Sequence, residues 1–105
     1  MSFIEVKGIK LELDDNGFLK EPEKWTEEVA IAISIRQNLD KLNKDHWKVI
    51  NHIRNYYLEY NVPPTVRRIT KETGFDIKYI YELFPLGPIK GACAIAGLPQ
   101  PTGCV

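Results

Sequence analysis

A mainly helical α+β fold is predicted: a small N-terminal β-hairpin on a helical bundle with a helix-turn-helix-like corner, followed by a mobile C-terminal arm. Three observations predict it. Apolar and polar residues alternate over residues 3–13, apolar residues recur at helical spacing between 26 and 84, and composition changes abruptly after residue 84. The domain reading is a globular helical body over 1–84 and a flexible, redox-active arm over 85–105. A chain of 105 residues suffices for one such body with a modest core.

The hairpin rests on Phe3-Ile4-Glu5-Val6-Lys7 and Ile9-Lys10-Leu11-Glu12-Leu13, separated by a break at Gly8. Asp14-Asp15-Asn16-Gly17 is a strong turn signal, because Asn and Gly tolerate positive φ. Pro22 stands where a helix can begin. Over 26–39 the apolar positions Val29, Ile31, Ile33, Ile35 and Leu39 leave the period ambiguous. Alanine content, length and the acidic pair Glu27-Glu28 favour a helix.

Asn43 is a good N-cap for a second helix, whose apolar stripe is Trp47, Ile50, Ile53 and Tyr57. Asn61-Val62-Pro63-Pro64 ends it. Two short helices then fit 65–84, with Thr65 and Asp76 as N-caps and Gly74 at the left-handed C′ position. Val66 and Ile69 are expected to face Ile77, Ile80 and Phe84.

The last segment holds four of the seven prolines, four of the seven glycines and one charged side chain, Lys90. That composition predicts no long regular element, only a short turn of helix near Ala92–Ala96. Taken as fully extended, the nineteen steps from Pro85 to Cys104 would span roughly 60 Å.

Charge and cysteine usage narrow the function classes. Residues 1–62 carry 9 basic and 11 acidic side chains, and 63–105 carry 5 and 3. This asymmetry is too mild for a protein held to nucleic acid chiefly by phosphate neutralisation. No apolar run approaches the roughly 18 residues that span a membrane, and the opening lacks a signal-peptide layout, so a cytoplasmic chain is expected, without membrane insertion.

Cys93 and Cys104 are the two cysteines, and in that compartment they read as thiols and not as a staple. They form no C-x-x-C pair, neither His46 nor His52 lies near them in sequence, and no metal-ligand set is visible. Cys104, penultimate in this sequence, is expected to be accessible. Cys93 lies in the apolar run Gly91–Gly97 and reads either as a small buried hydrophobe or as a redox partner.

Bonding the two cysteines would close a loop at an entropic cost of about 3 kcal/mol. On a mobile arm that cost falls on oxidation itself, making the bond easier to reduce by up to ~60 mV. Such a bond suits cycling. Cys104 has no local Lys or Arg to favour its thiolate, so the activating charge must come from the folded body, with Arg67, Arg68 and Lys71 as candidates, or from the partner; the bland alternative for the three is a solvated helix face. No acid/base or oxyanion constellation accompanies either thiol, so a free-standing enzyme is not expected.

These residues carry a resemblance. Leu83-Phe84-Pro85, Gly87-Pro88, Cys93, Ile95-Ala96-Gly97-Leu98-Pro99, Pro101 and Gly103-Cys104-Val105 are similar to the tail of the DsrC/TusE family. His46-Trp47, Tyr56-Tyr57, Pro64 and Arg67 extend the likeness upstream.

The resemblance implies a hairpin beside a helical bundle. It also implies a protein co-substrate of siroheme-containing dissimilatory sulfite reductase, with that enzyme's alpha and beta subunits as partners and a channel of the reductase receiving the tail. Cys104 would accept sulfur there, Cys93 would close onto it as a disulfide or trisulfide, and a membrane-bound thiol/disulfide reductase complex would restore the thiols. The chain would bring no cofactor of its own; siroheme and iron–sulfur clusters would belong to the partner. In that family a lone penultimate cysteine marks sulfur relay to tRNA thiolation, and the second cysteine, here Cys93, marks the sulfite reductase subgroup.

The relay is one alternative. A DNA-binding regulator is another, with Ile77–Phe84 as recognition helix, though Lys78 and Glu82 beside Tyr79 and Tyr81 give it a thin positive surface.

Overall fold

The computed structural model describes residues 2–39 and 41–98. Strands β1 (Ser2–Val6) and β2 (Ile9–Leu13) pair antiparallel around the two-residue loop Lys7-Gly8, with Ile4 opposite Leu11 and Val6 opposite Ile9. Alternation turns Ile4, Leu11 and Leu13 onto the core and leaves Phe3 and Glu5 in solvent. The following turn closes on Asp14, whose carboxylate accepts from the N–H groups of Asn16 and Phe18 at 2.8 and 3.0 Å. That turn delivers Phe18 and Leu19 into the core.

A single 3₁₀ turn, Pro22–Lys24, leads to α1 (Glu27–Arg36), which Thr26 caps through its hydroxyl. Helix α1 buries Val29, Ala30, Ile33 and Ser34 and exposes Ile31 and Ile35. Those two outward isoleucines explain why its apolar period is ambiguous in sequence. The helix was expected to reach residue 39 but stops at Arg36. Asn38 turns left-handed (φ 66°), and Leu39 N–H returns to Ser34 O at 2.9 Å while Asn38 N–H returns to Ile35 O at 3.0 Å.

Helix α2 (Lys44–Tyr60) is the central support. Asn43 caps it as predicted, and His46 completes the box, its Nδ1 accepting from Asn43 N–H at 3.1 Å. The imidazole proton therefore sits on Nε2, which donates to Leu83 O at 2.8 Å. One buried ring thus caps the start of α2 and the end of α4, packed edge-on against Phe84. His46→Ala should cost about 2–3 kcal/mol, since two capping bonds and an aromatic contact go together. A stability loss from urea denaturation of less than a third of that would contradict the double-cap role.

Helices α3 (Val66–Thr73) and α4 (Ile77–Leu83) form the predicted corner. Thr65 and Asp76 cap them and Gly74 takes φ 79° at the turn. Ile69, Ile80 and Phe84 meet in the core, whereas Ile77 is 49% exposed and does not join them.

The arm is expected from residue 85, and its described part, through Leu98, is packed against the body. Residues 88–92 form a π turn, Cys93–Ile95 a turn of α-helix (α5), and Ala92 through Ala96 with Leu98 are buried against α1 and α2. The glycines that suggested mobility, with the alanines between them, let the backbone pack closely against α1 and α2. The rest of the arm, with Cys104, lies outside the described residues. The fold is α+β, as the sequence predicted.

Candidate functional site: the Cys93 turn

Cys93 sits where the π turn becomes α5, its N–H donating to Pro88 O and its side chain wholly buried. The carbonyls around it are all engaged, as burial demands. Gly91 O accepts from Gln37 Nε2 at 3.3 Å and Ala92 O from Ala96 N–H at 2.9 Å. Cys93 O accepts from Leu98 N–H at 3.2 Å and Ala94 O from Gly97 N–H at 3.0 Å, a Schellman cap made possible by Gly97 at φ 78°. Ile95 O takes the indole N–H of Trp25 at 2.8 Å, and Ala96 O takes Arg54 Nη1 at 2.9 Å.

Three side chains distant in sequence therefore hold the turn. Gln37 ends α1, Trp25 precedes it, and Arg54 projects from α2. The Arg54 guanidinium also donates through Nη2 to Pro22 O at 3.0 Å and lies over the Trp25 ring, 4.4 Å from its centre. Burial lowers its pKa from the ordinary value, with Tyr57 opposing, yet an arginine remains charged at any working pH. Gly97 is packed flat on the same indole: a Cβ there would stand 2.2 Å from Trp25 Cδ1.

The cations singled out from sequence were named for Cys104, which lies outside the described residues. Arg67, Arg68 and Lys71 are exposed on α3, which packs on α2 and α4. Arg68 stacks on Tyr56 at 5.3 Å and lines a pocket of about 210 Å³ with His52, Asn55, Tyr60 and Glu72. Burial lowers the His52 pKa below its ordinary 6.5, against the opposing pull of Glu72. Among the described residues no hydrogen bond or ion pair joins these three cations to the Cys93 turn.

Among the described side chains Arg54 is a cation that reaches the turn, and sequence reasoning missed it. A signal existed: helical spacing places Arg54 within the stripe of Ile50, Ile53 and Tyr57, and a charge on an apolar stripe needs a buried partner. Among the described residues no three or more His, Cys, Asp or Glu side chains are placed to hold a metal ion, and no helix is long and apolar enough to cross a membrane.

Comparison with known proteins bears on this geometry. The family model described as DsrC like protein matches residues 5–105. The gamma subunit of dissimilatory-type sulfite reductase from Nitratidesulfovibrio vulgaris is 42% identical across the full length of both chains. The sulfurtransferase TusE of Salmonella paratyphi A is 38% identical over 94% of this chain and 96% of that protein. The crystal structure of the oxidised gamma subunit of dissimilatory sulfite reductase from Archaeoglobus fulgidus superposes with a TM-score of 0.92 at 46% identity, covering 99% of this chain and 100% of that one.

Proposed function

This chain belongs to the DsrC-like protein family, and on that premise we propose that it is the gamma-type, sulfur-carrying protein substrate of a dissimilatory sulfite reductase. In this reading the chain docks on the reductase's alpha and beta subunits in the cytoplasm. The reductase, through its own siroheme and iron–sulfur clusters, reduces the sulfur of sulfite part-way. Cys104 bonds that sulfur, Cys93 closes onto it, and a membrane-bound thiol/disulfide reductase complex later releases sulfide and returns both thiols.

The observation that carries the reading is Cys93 itself, a second cysteine set in a fully hydrogen-bonded turn within a chain 42% identical to a sulfite reductase gamma subunit. Its burial suits the order of events. A buried sulfur is withheld while Cys104 is loaded, and engages only afterwards. The packed body extends to Leu98, which shortens the reach. Six residue steps from Leu98 to Cys104 span at most about 20 Å, not the ~60 Å of an arm starting at Pro85. The partner's reacting centre accordingly lies within about 20 Å of the surface on which the body docks.

The likeness to TusE supports sulfur relay as a second reading, in which Cys104 alone suffices. Separate Cys93→Ser and Cys104→Ser variants, each supplied to a siroheme sulfite reductase with sulfite, distinguish the two. The co-substrate reading expects both to stop formation of the sulfur-bridged product. A Cys93→Ser protein that still passes sulfur to an acceptor at the wild-type rate would move the assignment to relay.

A further inference from the structure

We propose that Arg54 is a positioning residue for ring closure between Cys93 and Cys104, acting through the turn that carries Cys93. The inference rests on the co-substrate reading and adds the residue that prepares its second step.

Four observations converge on this side chain. Its two nitrogens bind Ala96 O and Pro22 O, so one guanidinium ties the C-terminal turn to the segment before α1. It stacks on Trp25, which itself binds Ile95 O, so the last two carbonyls of the turn are held by two side chains that brace each other. Its charge stands at the C-terminal, electronegative end of that turn. Finally, the same indole is the wall against which Gly97 lies, the residue whose left-handed φ sets the course of the chain toward Leu98. Arg54 and Trp25 together fix the course of the backbone from Cys93 to Leu98. A lysine would keep the charge but not the planar, two-pronged contact or the stack.

Ring closure in a glutathione buffer isolates the step. The Cys104 thiolate attacks glutathione disulfide and releases one glutathione thiolate, leaving a mixed disulfide. Cys93, losing its proton, attacks the Cys104 sulfur of that bond and releases the second. Two protein thiols become one disulfide and one glutathione disulfide becomes two glutathiones, so atoms and electrons balance. Only the second displacement depends on how the Cys93 turn is held.

The measurement is the closure constant of the full chain, from the ratio of ring to dithiol by intact mass across glutathione ratios. Wild type, Arg54→Lys and Arg54→Met are compared, with the iodoacetamide alkylation rate of Cys104 as a readout of the first step. Both variants should lower the closure constant roughly tenfold, the scale of one charge-assisted hydrogen bond, with Cys104 alkylation unchanged. A closure constant equal to or above wild type overturns the proposal. If the Arg54 variants do not fold, Trp25→Phe removes the indole N–H while keeping an aromatic ring. It should lower closure roughly threefold, and no change overturns the proposal equally. A wild-type chain that closes no ring at all defeats the co-substrate reading itself, a failure distinct from a wild type that closes and variants that match it.

Discussion

With Cys104 replaced by alanine, sulfur from labelled sulfite is expected to disappear from the protein after incubation with a siroheme sulfite reductase. The loss should be at least roughly a thousandfold in rate, the scale that follows removal of a covalent nucleophile. Binding to the reductase should change little, because the helical body is untouched. The reasoning is chemical. Only a thiolate bonds the transferred sulfur, and Cys93, wholly covered in the turn, cannot take the first step in its place. The check is radiolabel or mass retained on the chain after turnover, beside a binding measurement. Sulfur loaded at wild-type rate on the alanine variant would place the acceptor elsewhere.

Gly97→Ala is expected to cost about 2–5 kcal/mol of stability, in two separable parts. A residue with a Cβ held at φ 78° loses about 1–2 kcal/mol. The added methyl would also lie 2.2 Å from Trp25 Cδ1, so the indole or the turn must move, at a further 1–3 kcal/mol or so, and the bond from Trp25 to Ile95 O weakens with it. Gly74 provides the control. It shares the backbone state, φ 79°, but a Cβ there meets nothing within 4 Å. Gly74→Ala should therefore show only the conformational part, about 1–2 kcal/mol. Urea denaturation of the two variants measures the difference directly. Equal midpoints would mean that Gly97 is not packed on the indole.

Elements set by neighbours in sequence were legible. Asn43, Thr65, Gly74 and Asp76 each act on backbone groups a few residues away, and each stands in its predicted capping role. The hairpin was legible for the same reason, since alternation over 3–13 needs one buried face and a break at Gly8.

What escaped was fixed at a distance. Residues 91–98 resemble a loose segment because their side chains are small and proline and glycine flank them. Their order comes from Trp25, Gln37 and Arg54, which lie far back in the chain. No local pattern announces such partners. Arg54 escaped likewise, since its role is defined by the carbonyls of Ala96 and Pro22 and by a stacked ring, none of them adjacent to it.

The most direct trial of the account is the intact mass of this chain after turnover with sulfite and a siroheme sulfite reductase, the membrane complex omitted. Mapping of the linked peptides completes it. The account predicts a chain heavier by one sulfur atom and lighter by two hydrogens, with that atom bridging Cys93 and Cys104. A chain of unaltered mass, or one carrying the sulfur away from Cys104, would contradict it.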